Sequence, residues 1–390
     1  MASRLLLLFV LSRTLAADQI GIYFFARSFA ETFAVLASFR LGSPLLRRVA
    51  ADPAQAATHF APLLGFRVVS TPIYLVCVTL VAVALKGEIW GVIVIVAVAV
   101  LLENISYPFS SVFLALGKVE YGVVIGVAAQ TLFLTILLIG LWWAPSLGVL
   151  LTANLLRCLC LTGAAALVTQ RWLFPLRIGW DTSLLKEGIP FMLLAGLAVL
   201  RDKADTLLLG ALGTYDTVGH YQLALRAVNA TLFVPGAVGT AFFAQLAARG
   251  LDGENRRALA AGGGFIALLG LSATAVVTFA APQLSRFLYG SMGAAVAPLL
   301  HALAWLFPLS FLHFFLSSAL QALRQETKTL WALAIGTSVS LATNCVLIPH
   351  YGAYGAICAQ LLSAITQLAV LAWYLSGLLL GPKPRAALTA

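Results

Sequence analysis

The stretch GHYQLALR, from Gly219 to Arg226, repeats the pattern of GIYFFAR, from Gly21 to Arg27. Both have the form Gly-x-Tyr-x-x-Ala followed by Arg, and they lie about 198 residues apart. PSLGVLLTANLL from Pro145 and PHYGAYGAICAQLL from Pro349 form a second matching pair, at an offset of about 204 to 206 residues. Two matches at nearly the same offset indicate an internal repeat, so we expect two similar halves.

The composition predicts an integral membrane protein. Of the 390 residues, 61% are hydrophobic and only 10% are charged, and the mean hydropathy is +0.99. Soluble proteins carry about 25% charged residues. No loop exceeds about 20 residues, so we expect no catalytic domain outside the bilayer. The five cysteines lie in apolar segments and predict neither a disulfide nor a metal site, and no cofactor is expected.

Apolar runs of about 20 residues are typical of transmembrane helices. The sequence predicts twelve of them, at about 2–17, 19–42, 60–85, 88–115, 120–143, 147–171, 184–212, 217–247, 258–288, 294–322, 328–349 and 353–380. The first, MASRLLLLFVLSRTLAADQ, also has features of a signal peptide. We favour a retained helix because removing it would leave eleven spans and conflict with the charge pattern of the loops.

Basic residues alternate between the loops in the way that sets membrane orientation. Lys and Arg accumulate on the cytoplasmic side, and the loops on one side carry only Arg13, Lys86 and Arg286. The other side carries fourteen: Arg40, Arg47, Arg48, Lys118, Arg171, Arg177, Lys186, Arg249, Arg256, Arg257, Arg324, Lys328, Lys383 and Arg385. This asymmetry predicts that both termini are cytoplasmic. It also accounts for most of the net charge of +10, so we do not expect nucleic-acid binding.

The repeat and the spans together predict an all-α membrane fold of two parallel six-helix bundles, residues 1–174 and 175–390. Because six is even, both halves enter the membrane in the same direction. Such repeats are typical of transporters, whose substrate site lies at the interface of the halves and is exposed alternately to each side.

Charges inside the predicted spans mark the candidate site. VLRDKADTLLLG, Val199 to Gly210, carries four charges within an apolar segment. Each charge costs about 2.5–3.5 kcal/mol near the centre of a membrane helix, so these residues should pair or face water. The basic residues within spans are Arg4, Arg27, Arg67, Arg157, Arg201, Lys203 and Arg226, and the acidic ones are Glu31, Glu103, Asp202 and Asp205.

Helical spacing predicts which of these charges pair. Arg27 and Glu31 are i,i+4 neighbours, as are Arg201 and Asp205, so each pair can share one helix face. The acids Glu31 and Asp205 would then hold the two arginines. Arg4 and Arg67 lie near predicted cytoplasmic helix ends and should extend to the headgroups. The remaining candidates for lining a cavity are Glu103, Arg157, Asp202 and Lys203.

Depth in the membrane predicts an anionic ligand. Arg27 lies nine residues after Asp18, and Arg226 lies ten after Asp216. At about 1.5 Å per residue, both arginines lie about 14 Å below the outer surface, near the middle of a core about 30 Å thick. Guanidinium groups match phosphate oxygens and can bind them through two hydrogen bonds. We therefore expect Arg27, Arg201 and Arg226 to bind a phosphorylated ligand.

Three segments resemble the polysaccharide (O-antigen type) flippases of the multidrug/oligosaccharidyl-lipid/polysaccharide superfamily. The segment EGIPFMLL…FFAQLAA, residues 187–248, is similar in its pattern of Pro190, Asp205, Gly219, Tyr221, Ala224, Arg226 and Pro235. NCVLIPHYGAYGAICAQLLS, residues 344–363, and SRTLAADQIGIYFFA, near the start, are similar to two further family segments. The chain departs from many members in its short first helix and in having twelve predicted spans where they have fourteen.

The resemblance implies a MATE-like fold in the bacterial cytoplasmic (inner) membrane and a transporter rather than an enzyme. It implies transfer of an undecaprenyl-diphosphate-linked oligosaccharide from the inner to the outer leaflet, for O-antigen, capsule or exopolysaccharide assembly. A polysaccharide polymerase and chain-length proteins are the partners that it implies.

Two other functions remain open. A cation-coupled multidrug antiporter of the same fold would need a cavity dominated by acids, whereas the spans hold seven bases against four acids. A membrane-embedded polysaccharide polymerase or glycosyltransferase would need a sizeable external loop or metal-binding carboxylates.

Overall fold

The computed structural model describes residues 2–39, 41–231, 236, 253–323 and 325–380. Within these ranges the chain is helical and has no β-strand. The helices are α1 (Ala2–Thr14), α2 (Ala17–Ser38), α3 (Gly42–Ala51), α4 (Ala56–Leu85), α5 (Trp90–Ala115), α6 (Val119–Trp143), α7 (Leu147–Val168), α8 (Thr182–Leu212), α9 (Tyr215–Asn229), α10 (Gly253–Tyr289), α11 (Gly293–Leu303), α12 (Leu306–Ala322), α13 (Glu326–Tyr351) and α14 (Ala353–Leu380).

The helices follow the predicted spans closely. Helix α9 is described to Asn229, and the predicted tenth span is divided into α11 and α12 at Ala304–Trp305. The following residues named above lie outside the described part of the chain: Arg40, Pro235, Arg249, Arg324, Lys383 and Arg385, together with the side chains of Arg4 and Pro190. Residues 232–235 and 237–247 of the predicted eighth span also lie outside it.

Seven helical segments of the described chain are long and apolar enough to cross a membrane. They are Pro53–Leu85, Trp90–Ala115, Val119–Trp143, Leu147–Leu173, Arg256–Leu303, Glu326–Tyr351 and Ala353–Gly377. Helix α8 adds an eighth if its two parts, Thr182–Ile189 and Met192–Leu212, which meet at a bend of 45°, form one span. Large apolar side chains face outward from these helices; Trp142 is 86% exposed and Phe279 83%. Apolar surface of this extent fits a lipid environment, and the chain is an all-helical membrane protein.

The chain packs into two compact units, Met1–Gln222 and Leu223–Ala390. Helix α8, which the repeat assigns to the second half, packs against α2 and α3 in the first unit. The predicted halves, 1–174 and 175–390, come from the repeat rather than from packing, and they remain a prediction.

Helix α5 lies at the centre of the first unit, where it packs against α2, α3, α4, α6 and α7. One end of this unit is closed by an apolar cluster that includes Phe60 and Phe109, whose ring centroids are 4.9 Å apart. Leu41, Leu45 and Val49 of the α3 region are at most 1% exposed within this cluster. They recur every four residues, so one face of α3 is apolar and buried.

Arg48, on the polar side of α3, joins that helix to the start of α8. Its guanidinium lies 2.8 Å from Asp181 Oδ2 and 2.7 Å from Glu187 Oε1. Asp181 also caps α8 by accepting hydrogen bonds from the backbone N–H and the hydroxyl of Ser183. These donors, with Arg48, lower the pKa of Asp181 to about 2. The carboxylate therefore stays charged at neutral pH and holds α3 to α8.

The described part of the second unit consists of α10 to α14 and the end of α9. Helix α10 packs against α11 and α12, and α14 packs against α13 and α12. The buried hydroxyl of Tyr289 donates to the carbonyl of Leu223 at 3.0 Å, which joins α10 to α9. Thr274 Oγ1 donates to the carbonyl of Ala304 at 2.9 Å, at the break between α11 and α12. The same carbonyl also accepts from the backbone N–H of Phe307 at 3.1 Å, so the break between the two helices remains hydrogen-bonded.

Candidate functional site

Helix α2 positions the first ion pair of the candidate site. Arg27 Nε lies 2.7 Å from Glu31 Oε1, so the predicted i,i+4 pair is present. Both side chains are 22% exposed, whereas Phe25 and Phe29, on the opposite face of the helix, are at most 6% exposed. The pair therefore lies on a face of α2 that is open to a cavity.

Three neighbouring helices extend this pair into a network. Arg27 Nη2 lies 3.1 Å from Glu103 Oε2 of α5, and Arg157 Nη2 of α7 lies 3.2 Å from the same oxygen. Lys203 Nζ of α8 lies 2.6 Å from Glu31 Oε2. We call Arg27, Glu31, Glu103, Arg157 and Lys203 the charged cluster. Each acid is shared by two bases, and the cluster has one excess positive charge.

A cavity of about 190 Å³ adjoins the charged cluster within the first unit. Its lining is Arg27, Glu31, Ala34, Val35, Ser38, Val100, Glu103, Asn104, Tyr107 and Val199. Pockets that enclose drug-sized ligands measure about 300–1,000 Å³, so this cavity has room for a small anionic headgroup but not for a whole oligosaccharide. Arg157 and Lys203 contact the acids Glu103 and Glu31 of the lining but do not themselves line the cavity.

The charges of Val199–Gly210 point in different directions. Lys203 joins the charged cluster, whereas Arg201 pairs with Asp202 at 2.8 Å in a more exposed position. Asp205 is 1% exposed and accepts hydrogen bonds from the Tyr221 hydroxyl and from Thr206. The predicted pairing of Arg201 with Asp205 remains a prediction; the partners described here are Asp202 for Arg201 and Tyr221 and Thr206 for Asp205. The proposed roles of Arg201, Asp202 and Asp205 at the ligand site remain predictions.

Arg226 is half-buried on α9 in the second unit. Its expected place across a cavity from Arg27 remains a prediction, as does its contact with a ligand.

Arg67 occupies a different place from the one expected. It is 5% exposed, and its guanidinium donates to the carbonyls of Ala37 at 3.1 Å and Asn104 at 3.2 Å. The prediction that Arg67 extends to the headgroups is wrong, since α4 packs it between α2 and α5. Its hydrogen bonds hold together two helices that line the cavity.

Sequence reasoning missed the polar side chains that complete the cavity wall. Ser38, Asn104 and Tyr107 line the cavity beside the charged residues. The signal for Asn104 was its position next to Glu103 in an apolar helix, and Tyr107 follows Glu103 by one turn. Their hydroxyl and amide groups can donate hydrogen bonds to an anion.

Asp205 should be needed for folding. Replacing Asp205 by alanine removes the carboxylate that accepts a hydrogen bond from the buried Tyr221 hydroxyl. We therefore expect the free energy of unfolding to fall by about 1–3 kcal/mol. Unfolding of the purified protein in mixed micelles measures the change. Asp202→Ala is the matched control, because its side chain is 55% exposed and should cost less than about 1 kcal/mol. Equal stability of the two variants would contradict a structural role for Asp205.

Comparisons with known proteins give the fold a name. The chain matches no family model and no curated protein. It is similar to an inward-facing multidrug resistance MATE family transporter of the MOP superfamily, with a TM-score of 0.73, 14% identity and coverage of 96% of this chain and 95% of the other. It is also similar to the lipid II flippase MurJ in an inward closed conformation, with a TM-score of 0.64, 11% identity and coverage of 95% and 87%.

A third structure bears on cavity charge. A MOP superfamily transporter from Pyrococcus furiosus, described as having a binding pocket of reverse polarity that suggests a different function, gives a TM-score of 0.53 and 13% identity, with coverage of 96% of this chain and 95% of the other. At these identities the likenesses establish the fold. The chain has a MATE-like fold.

Proposed function

We propose that this chain is a lipid-linked oligosaccharide flippase. It moves undecaprenyl-diphosphate-linked glycan units from the inner to the outer leaflet of the bacterial cytoplasmic membrane, for O-antigen, capsule or exopolysaccharide assembly. The observation that carries the proposal is the charged cluster, which has one excess positive charge and adjoins a cavity lined by its Arg27. A transported diphosphate needs cationic ligands within the bilayer, where each buried charge must be compensated.

The carboxylates of the cluster explain how these cations are tolerated within the membrane. Glu31 and Glu103 hold Arg27, Arg157 and Lys203 in place through hydrogen bonds of 2.6–3.2 Å. An arriving diphosphate carries more negative charge than one carboxylate, so it competes for the guanidinium groups of Arg27 and Arg157. The desolvation cost of these guanidinium groups is met during folding, so their N–H groups are already oriented when the ligand binds.

Arg201 and Arg226 are proposed as further contacts during transfer. The halves of the repeat would rock against each other and carry the headgroup across, while the lipid tail stays in the bilayer. No covalent chemistry is required of the protein. The MurJ-like fold supports this proposal, since that protein is a lipid II flippase.

A cation-coupled multidrug antiporter is the second candidate. The observation in its favour is that Glu31 and Glu103 both line the cavity, and carboxylates can bind organic cations or protons. The two functions require opposite ligand charge, so a direct transport measurement separates them.

Reconstitution into proteoliposomes tests the proposal. The flippase should move an undecaprenyl-diphosphate-linked sugar between leaflets, detected by access of an added glycosidase to a labelled sugar. It should show no export of organic cations such as ethidium against a proton or sodium gradient. Cation export without lipid transfer would overturn the flippase and favour the antiporter.

A further inference from the structure

The backbones of α2 and α9 touch at two glycines. A β-carbon at Gly21 would overlap the carbonyl oxygen of Tyr215 and would lie 2.9 Å from the nitrogen of Gly219. A β-carbon at Gly219 would overlap the carbonyl oxygen of Ala17 and would lie 3.3 Å from the nitrogen of Gly21. Only glycine fits at either position without moving the helices apart. We call this contact, which lies within the first unit, the glycine crossing.

The glycine crossing is reciprocal and coincides with the sequence repeat. Ala17 contacts Gly219 and Tyr215 contacts Gly21. The repeat offset of 198 residues makes Tyr215 the counterpart of Ala17 and Gly219 the counterpart of Gly21. A contact in which i meets j′ and i′ meets j is the signature of a local two-fold axis. The axis that relates the two copies of the motif therefore passes between Gly21 and Gly219.

Bulky side chains close the space around the crossing. Ile20 and Val218 are fully buried beside the glycines, and the rings of Phe25 and Tyr215 meet edge to face at 5.6 Å. Lys86 Nζ lies 5.6 Å from both ring centroids and donates to the carbonyl of Gly210 at 2.7 Å. This bond ties the end of α4 to the end of α8, so four helices converge on one layer.

The glycine crossing lies between the cavity and the N-terminal end of α2. Along α2 the cavity is lined from Arg27 to Ser38, and Gly21 precedes Arg27 by six residues. At about 1.5 Å per residue, the crossing is about 9 Å from Arg27, toward the predicted outer surface.

We propose that the glycine crossing is the outer seal of the cavity. It is closed in this structure, and α2 and α9 must separate there before a ligand can leave to the outer side. That this opening releases a transported ligand rests on the proposed function, but the existence of the seal can be tested without any substrate. A side chain at either glycine would act as a wedge that favours the open arrangement.

Thiol labelling from outside tests the seal. Ala34, which lines the cavity, is replaced by cysteine in a chain whose five native cysteines are changed to alanine. Cells are then exposed to a membrane-impermeant maleimide.

Gly21→Ala and Gly219→Ala should each raise the labelling rate on the order of tenfold, since overpacking a tight contact shifts the equilibrium between the closed and open arrangements by that amount. The matched control is Gly126→Ala, because a β-carbon at Gly126 meets nothing within 4 Å. Its labelling should equal that of the parent chain.

A second variant keeps the test decisive if the glycine variants do not fold. Lys86→Met removes the hydrogen bond to Gly210 without adding bulk to the crossing, and it should raise labelling severalfold, whereas Lys118→Met should leave it unchanged. Unchanged labelling in the folded glycine variants, or in Lys86→Met when neither glycine variant folds, would overturn the seal. Increased labelling combined with failed lipid transfer would overturn the proposed function and leave the seal standing.

Discussion

Replacing Arg27 by alanine is expected to reduce transfer of the lipid-linked sugar about 100-fold, with normal amounts of protein in the membrane. Arg27 is the basic residue of the charged cluster that lines the cavity, and losing a desolvated charge that binds an anion costs about 2–5 kcal/mol. The protein should still fold, because Glu31 keeps its contact with Lys203 and Glu103 keeps its contact with Arg157. Proteoliposome transfer rates and membrane abundance measure the two effects.

Two further variants make the Arg27 prediction specific. Arg27→Lys should retain part of the activity, since an ammonium group keeps the charge but cannot form the paired hydrogen bonds of a guanidinium. Arg257→Ala removes an exposed charge in the second unit and should have no effect. Unimpaired transfer by the Arg27→Ala variant would rule out the cluster as the ligand site.

Replacing Glu103 by alanine is expected to destabilise the protein more than any other single change in the charged cluster. One oxygen of Glu103 binds both Arg27 and Arg157, so its loss leaves two guanidinium groups close together without their shared acceptor. Removing one partner of a buried ion pair costs about 3–5 kcal/mol. Because Glu103 is 18% exposed, water should moderate the loss to about 3 kcal/mol.

A double-mutant cycle of Glu103→Ala and Arg157→Ala tests whether the two side chains stabilise the protein through their contact. Arg157→Ala should cost less than Glu103→Ala, since Glu103 retains Arg27 as a partner. The double variant should be more stable than the sum of the single changes predicts, because it removes a base together with its acceptor. Glu88→Ala, an exposed acid in the connection between α4 and α5, should change stability by less than about 0.5 kcal/mol. Additive losses in the cycle would show that Glu103 and Arg157 act independently.

The sequence predicted the helices well because their signal is local. An apolar run of about 20 residues is sufficient to identify a span, and the helices of the described chain follow the predicted ones. Helix α3 was missed because its ten residues are too few to span a membrane, and because Leu41 just before it and Leu45 and Val49 within it lie among charges. The division between α11 and α12 also has no strong local signal.

The charged cluster was only partly predictable, and the reason is geometric. Helical spacing places Arg27 beside Glu31, and that pair is present. The same rule does not specify that Arg201 meets Asp202 and that Asp205 meets Tyr221, because the rotation of a helix against its neighbours decides which side chains meet. The contacts from Arg27 to Glu103 and from Lys203 to Glu31 join residues 76 and 172 positions apart, which no local pattern specifies.

The repeat was more informative than its alignment alone indicated. It matched Gly21 with Gly219 as equivalent positions, and in the structure these two residues touch. A residue near a two-fold axis meets its own counterpart, so glycine at both positions is what such a close approach requires.

Binding of undecaprenyl diphosphate to the purified protein tests most directly whether the charged cluster recognises a phosphorylated headgroup. Native mass spectrometry of the parent chain and of the Arg27→Ala variant, each titrated with undecaprenyl diphosphate and with undecaprenol, gives the two affinities. We expect the parent chain to prefer the diphosphate strongly, and the variant to lose that preference while binding undecaprenol as before. Equal preference for the diphosphate in both proteins would contradict the assignment of this cavity to the ligand.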